Sequence, residues 1–269
     1  MVATDTQSQN RWTQMLQSED PSFGFFCFIA SEKIVEIAGF AGMDFVIFDT
    51  EHASYDVDFI ERGTRAAQVS GLVTVVRMPG GDPDPNLIAR VLDTGVDGLM
   101  FARVPNKEAA ERLVDMCMIE PVGVRGSCPG SRAGHYALLP LDEYRRRSND
   151  VSVMVMIETK EAFEDVEEIM KVPGVTGITV GRDDLASALG ADGGRNDPKV
   201  VAAERRILEL ANSMNVGVRG SARNMDELAR YATEDYCPNV FSFLTDSYQI
   251  GTRFQELIGN AKSQLSASS

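Results

Sequence analysis

Eight short, nearly continuous apolar runs constrain this chain more than any other feature. They lie at residues 25–30, 45–49, 74–78, 98–104, 151–158, 177–181, 216–220 and 240–244. A strand wet on one face alternates apolar and polar residues. These runs do not alternate, so both faces are covered, as in a parallel sheet wrapped by helices. Helical periodicity is expected between them, over 31–39, 56–70, 86–94, 107–118, 161–171, 198–214, 225–233 and 248–261, with Ser31 capping the first. Eight strand–helix units close a (β/α)8 TIM barrel, and a chain of 269 residues has the length for one. The rival is an open doubly wound sheet, weakened because no G-x-G-x-x-G turn follows any run.

The expected organisation is therefore a single domain over 21–262, preceded by an extension with a first helix (1–20) and followed by a disordered tail (263–269). One interval breaks the rhythm. Residues 120–149 are rich in Gly, Pro, Ser and Arg, too long for a plain connection, and read as a functional loop or lid with a short helix over 141–147.

Charge and cysteine content exclude several classes of function. With 26 Lys and Arg against 40 Asp and Glu, the net charge of −14 argues against a nucleic-acid partner. No apolar run approaches the roughly 20 residues of a membrane span, and the start of the chain lacks the pattern of a signal peptide. Cys27, Cys117, Cys128 and Cys237 are scattered, with no C-x-x-C pair. A cytoplasmic, reduced protein is expected.

In a barrel of this kind chemistry sits where strands end, so polar residues there carry weight. The second run ends in Asp49-Thr50-Glu51-His52 and the third in Arg77. The fifth ends in Glu158, and Asp184 follows the sixth. An unpaired carboxylate in a core would cost several kcal/mol, so acids at strand ends mark a pocket mouth. Two that converge make an oxygen-ligand site for a hard cation. Taken singly each residue has a plainer role: Glu158 or Asp184 as a helix cap, Arg77 as a structural partner of Asp49, His52 as a loop histidine.

Together these segments resemble the HpcH/HpaI aldolases, the metal-dependent class II pyruvate aldolases. The resemblance is carried by Phe48-Asp49-Thr50-Glu51-His52-Ala53, Val76-Arg77, Gly123-Val124-Arg125-Gly126, Ile157-Glu158-Thr159-Lys160-Glu161-Ala162 and Gly181-Arg182-Asp183-Asp184-Leu185, in collinear order over roughly residues 20–260. It implies a modified TIM barrel that exchanges a C-terminal helix between subunits of a homo-oligomer, a hexamer or trimer. It implies that Glu158 and Asp184 ligate Mg²⁺, Mn²⁺ or Co²⁺, which chelates pyruvate or a related 2-oxo acid and stabilises its enolate. Arg77 would stand by the keto oxygen. His52, oriented by Asp49, would transfer protons, and backbone N–H groups around Arg182–Asp184 would hold the substrate carboxylate.

The chain departs from the family pattern in three places. Met156 stands where glutamine is common. The Gly-Pro-Ala-Asp loop is here Gly181-Arg182-Asp183-Asp184, and the seventh run ends in Val218-Arg219-Gly220-Ser221. The extra arginines raise two expectations: Arg182 and Arg219 grip an anionic second substrate, with Asp183 and Ser221 beside them, or they pair with rim acids. Arg132 and His135, in the long interval, are expected either on the surface or over the site when a lid closes.

Three functions remain open at this point. The first is reversible aldol cleavage of a 4-hydroxy-2-oxo acid to pyruvate and an aldehyde. The second uses the same enolate for oxaloacetate decarboxylation or for attack on a different electrophile. The third is a non-catalytic barrel that binds a 2-oxo acid.

Overall fold

The computed structural model describes residues 10–233 and 237–267. Eight parallel strands form a closed barrel in sequence order: β1 (Ser22–Cys27), β2 (Phe45–Asp49), β3 (Val73–Pro79), β4 (Gly98–Ala102), β5 (Ser152–Ile157), β6 (Val175–Val180), β7 (Gly217–Ala222) and β8 (Val240–Thr245). Ahead of β1 lies α1 (Arg11–Gln17). Around the barrel run α2 (Glu32–Phe40), α3 (Val57–Val69), α4 (Pro85–Asp93), α5 (Lys107–Cys117) and α6 (Leu141–Ser148). The second half adds α7 (Lys160–Glu164), α8 (Val166–Met170), α9 (Arg182–Ala188), α10 (Pro198–Ser213), α11 (Met225–Tyr231) and α12 (Asp246–Ala267). The fold is the TIM barrel, and the open-sheet alternative is excluded by the pairing of β8 with β1.

Successive side chains of a strand point to opposite faces, which divides the apolar residues into two cores. Val46, Phe48, Val76, Leu99, Phe101, Val153, Val155 and Ile157 pack outward against the helices. Phe26, Phe45, Ile47, Val73, Val75, Met100, Met154 and Met156 fill the barrel interior. The same parity carries Asp49, Arg77 and Glu158 inward, two residues beyond Ile47, Val75 and Met156. Polar residues at the ends of apolar strands thus meet above an apolar plug.

The opposite mouth is closed by α1. Asn10 caps it by accepting from the N–H of Thr13, and Trp12 and Leu16 enter the barrel, 0% and 8% exposed. Glycines at strand starts make the room. A Cβ on Gly177 or Gly217 would come within 3.0 or 2.8 Å of Leu16, and one on Gly98 within 3.4 Å of Trp12. Trp12 meets Phe45 edge-on at 4.8 Å and donates its indole N–H to Met154 Sδ at 2.9 Å. Burying the indole contributes about 3 kcal/mol.

Several expectations are corrected. The first strand ends at Cys27, not Ala30, because the N–H groups of Phe28 and Ile29 both donate to Asp246 at 3.0 Å, which pulls the chain out of the sheet. Ser31 occupies a cap position without a side-chain cap bond. The helix expected over 161–171 breaks at Asp165 into α7 and α8. The expected disordered tail is helical as far as Ala267, where the described residues end.

The interval 120–149 is not a lid. It packs beneath the N-terminal face of the barrel. Arg125 Nη2 donates to Ser148 O, Arg132 Nη1 to the Thr94 carbonyl that follows α4, and the Cys128 N–H to the Tyr144 hydroxyl. Arg132 and His135 lie there with it, at the far end from the strand termini that carry Glu158 and Arg77. All four cysteines are free thiols, and no helix among the described residues is long and apolar enough to cross a membrane.

Candidate active site

A cleft of about 150 Å³ opens at the C-terminal ends of the strands, and Phe26, Arg77, Met156, Glu158, Asp184 and Arg219 line it. Glu158 follows β5 and is 3% exposed. It does not cap the next helix, since Thr159 does so by accepting from the N–H of Ala162. One carboxylate oxygen, Oε1, accepts at 2.6 Å from the backbone N–H of Arg103, just past β4. The other lies over Gly181, where a Cβ would come within 2.7 Å of Glu158 Cβ. Only glycine lets the chain after β6 pass this close.

Asp184 stands in the first turn of α9, where an acid complements the helix dipole. It forms no hydrogen bond or ion pair with another described residue. Burial, with the charges of Asp184 and Glu51, pushes the Glu158 carboxyl up to about 7, against the opposing pull of the Arg103 N–H and Arg77. A buried carboxylate that neighbouring acids make costlier to ionise marks a site short of positive charge. Among the described residues no group of three or more His, Cys, Asp or Glu has metal-ligand spacing. Two acids with room for water and substrate still fit a hard divalent cation, which keeps part of its hydration, better than a softer metal that takes a closed protein cage.

Arg77 is fixed by a forked pair with Asp49, Nε to Oδ1 at 3.0 Å and Nη2 to Oδ2 at 2.5 Å. Asp49 is fully buried and also accepts from the N–H groups of Glu51 and His52. That corrects the expected role of Asp49. It holds Arg77 and the backbone of the loop, whereas the half-exposed His52 imidazole lies 3.6 Å from Glu51 Oε2. The same Glu51 oxygen is 3.5 Å from Arg77 Nε, so Glu51 links His52 to Arg77.

The two extra arginines part company. The guanidinium of Arg182 is buried away from the cleft, donating to Arg195 O at 3.1 and 3.2 Å and to Asn196 Oδ1, with Glu204 and Glu227 within 3.8 Å. It does not reach the cleft as a gripping group. Asp183 points to the rim, where Arg195 and Arg223 hold it at 2.9 and 3.0 Å. Arg219 is different. It is 2% exposed, its Nη2 donates to Thr179 Oγ1 at 2.6 Å, its Nη1 bonds Gly220 O and Ser242 Oγ, and its Nε has no partner. No carboxylate among the described residues pairs with it. Burial brings this guanidinium down to about 9, with Arg77 and Arg195 adding to the effect. Phe26 lies between the two cleft arginines, its ring 4.9 Å from Arg77 Cζ and 5.4 Å from Arg219 Cζ. Ser221 and Met156 complete the lining, Met156 only 5% exposed.

Of the residues named from sequence, Arg77, Met156, Glu158, Asp184, Arg219 and Ser221 line the cleft. So do Arg182 and Asp183, whose charged ends are bonded to Arg195 and Asn196 and to Arg195 and Arg223 respectively. Asp49 lies behind Arg77, and His52 beside Glu51. Sequence reasoning missed Glu51, Arg103 and Phe26. Glu51 sits inside the segment Phe48-Asp49-Thr50-Glu51-His52-Ala53 and was open to notice. Arg103 acts through its backbone, and Phe26 through a ring in an apolar run, so neither carries a side-chain signal.

Acids and an ion-paired arginine around one cleft at the C-terminal face are what the site of a TIM-barrel enzyme calls for. The chain belongs to the HpcH/HpaI aldolase/citrate lyase family, whose model matches residues 22–235. It is therefore an aldolase-family enzyme, a lyase. It is 31% identical to a 5-keto-4-deoxy-D-glucarate aldolase of Enterobacter sp. (strain 638), over 76% of this chain and 78% of the relative. It is 34% identical to a pyruvate aldolase of Rhizobium etli, over 72% and 75%. Among solved structures, an HpcH/HpaI aldolase/citrate lyase family protein from Burkholderia cenocepacia J2315 superposes with a TM-score of 0.86 at 26% identity, covering 94% of this chain and 99% of that one.

Proposed function

We propose that this chain catalyses reversible aldol cleavage of a 4-hydroxy-2-oxo acid to pyruvate, or a related 2-oxo acid, and an aldehyde. Glu158 and Asp184 would hold a divalent cation, Mg²⁺, Mn²⁺ or Co²⁺. The observation that carries this reading is the buried Glu158, one oxygen tied to Arg103 and the other unbonded, facing an unpartnered Asp184. When bound, such a cation supplies a Lewis acid for the keto oxygen, worth several kcal/mol of charge stabilisation.

The chain's own residues do the rest. Arg77, locked by Asp49, presents a fixed guanidinium to the negative charge that develops on the keto oxygen as the carbon–carbon bond breaks. His52, beside Glu51 at the mouth, moves the proton of the 4-hydroxyl, directly or through water. Apolar Phe26 and Met156 exclude water from the reacting carbon. Arg219 meets an anionic group of the substrate, because a buried cation without a counter-charge costs several kcal/mol until a ligand supplies one.

A second reading keeps the 2-oxo acid seat and changes the electrophile, or removes CO₂ in place of an aldehyde. Met156 favours it, since a thioether replaces the amide common beside the keto acid. Exchange of pyruvate methyl protons in D₂O, titrated with Mg²⁺ or Mn²⁺, tests both. Exchange together with aldehyde release from 4-hydroxy-2-oxo acids supports the first reading. Exchange alone supports the second, and no exchange with either metal overturns both.

The exposed face of α12 supports a homo-oligomer. Phe254, Leu257, Ile258 and Leu265 are half-exposed or more on this helix of 22 residues. A helix that leaves several large apolar side chains in water is suited to a partner, and a second copy receiving it is the reading we adopt.

A further inference from the structure

A second cavity is larger than the cleft. A hollow of about 630 Å³ lies at the other end of the barrel, where β4 and β5 begin, and five arginines line it: Arg11, Arg125, Arg132, Arg146 and Arg147. In a chain with 14 more acids than bases, such a concentration is not a surface average.

Three of these guanidinium groups donate their hydrogen bonds to neutral acceptors. Arg11 donates to Gly71 O at 2.5 Å and to Leu72 O at 3.4 Å. Arg132 donates to Thr94 O at 2.5 Å and to Gln68 Oε1. Arg125 is 6% exposed, donates to Ser148 O at 2.8 Å, and its Nε has no partner. None of the three forms a close ion pair with a carboxylate among the described residues; Asp97, Asp93 and Glu61 act on Arg11, Arg125 and Arg132 only from a distance. Arg146 and Arg147 both pair with Glu143, and Asp150 adds its charge near Arg146. Of the two aspartates in the lining, Asp97 is occupied by the N–H and hydroxyl of Thr74. Carbonyl oxygens fix where a guanidinium points without cancelling its charge, which is how a protein prepares arginines for an anion that arrives from outside.

We propose that this cavity binds a compact polyanion, a metabolite with two or more phosphate or carboxylate charges, at a site separate from the cleft. It adjoins the chemistry only through the strands. Val151, which precedes β5, lines the cavity, and Glu158, which follows β5, lines the cleft. The polyanion is thus placed as an effector, not a substrate.

Calorimetric titration of the full chain with pyrophosphate and, separately, with tricarballylate at constant ionic strength tests this and tells the two anion types apart. At least one is expected to bind with Kd below about 1 mM to both the wild type and Arg219→Ala, and about tenfold or more weakly to Arg132→Gln/Arg147→Gln. Arg147→Gln alone, on an exposed side chain, covers the case in which the double variant fails to fold, and is expected to weaken binding measurably. Binding of neither probe, binding unchanged in the arginine variants, or binding lost in Arg219→Ala, which would place the probe in the cleft, overturns the proposal.

Discussion

The backbone N–H of Arg103 donates to Glu158 Oε1 at 2.6 Å, and Arg103 holds a left-handed φ of +55° to do so. The strand that ends beside β5 thus orients the acid of β5 through its main chain, while the Arg103 side chain stays exposed. Left-handed φ is strained for a residue with a Cβ and free for glycine. Arg103→Gly should therefore retain activity with equal or slightly higher stability, by up to about 1 kcal/mol. Arg103→Pro removes the donor and forbids the φ, and should abolish cation binding measured by calorimetry.

Gly181 is the counterpart on the next strand. Gly181→Ala puts a methyl into the Glu158 side chain, an overpacking that costs about 1–3 kcal/mol of stability. Thermal melting should register that loss. Mn²⁺ affinity, followed by electron paramagnetic resonance, should fall in the same variant, because Glu158 is displaced toward Arg103.

The pH dependence of the metal-free protein follows from Glu158. Its carboxyl is raised from 4.5 to about 7 in the folded chain, so the folded state binds this proton more tightly than the unfolded one. The stabilising contribution is fully present below about pH 4.5 and is lost as pH rises through about 7, a fall of roughly 3 kcal/mol. In EDTA, Glu158→Gln should flatten that fall between about pH 5 and pH 8. With Mg²⁺ present the wild type should show the opposite trend, since the ionised carboxylate is the ligand.

Arg219 separates stability from function. Arg219→Met removes a buried cation that lacks a counter-charge, and should raise the stability of the free protein by about 1–3 kcal/mol. It should lower kcat/KM for substrates carrying a second anionic group by about a hundredfold while sparing neutral ones. Parallel melting and steady-state assays check the two signs. Equal losses on both substrate types would remove Arg219 from recognition.

For α12, the triple variant Phe254→Asp/Leu257→Asp/Ile258→Asp should shift the sedimentation coefficient to a smaller species without altering the far-ultraviolet spectrum of the barrel. An unchanged coefficient would detach the helix from assembly.

The barrel was legible because its strands are apolar on both faces, and a run such as 45–49 leaves little choice but a buried parallel strand. The cleft was legible where polarity interrupts such runs, at Asp49, Arg77 and Glu158. Arg182 carried two readings, a grip on substrate or a pairing with acids, because sequence gives the place of a side chain along a strand end, not its direction. A buried carbonyl and Asn196, which follow 13 and 14 residues later, turn it away. The 120–149 interval was misread for a related reason. Its length signalled function, but only its contacts with Thr94 and Ser148 show which end of the barrel it serves.

Trp12 and Leu16 leave the barrel with a single door. Molecules that enter the cleft stack in order of arrival, and the deepest leaves last. If cleavage follows the proposed course, the aldehyde at the mouth departs before the 2-oxo acid at the floor, and product inhibition should carry that sequence: competitive by the 2-oxo acid, mixed by the aldehyde.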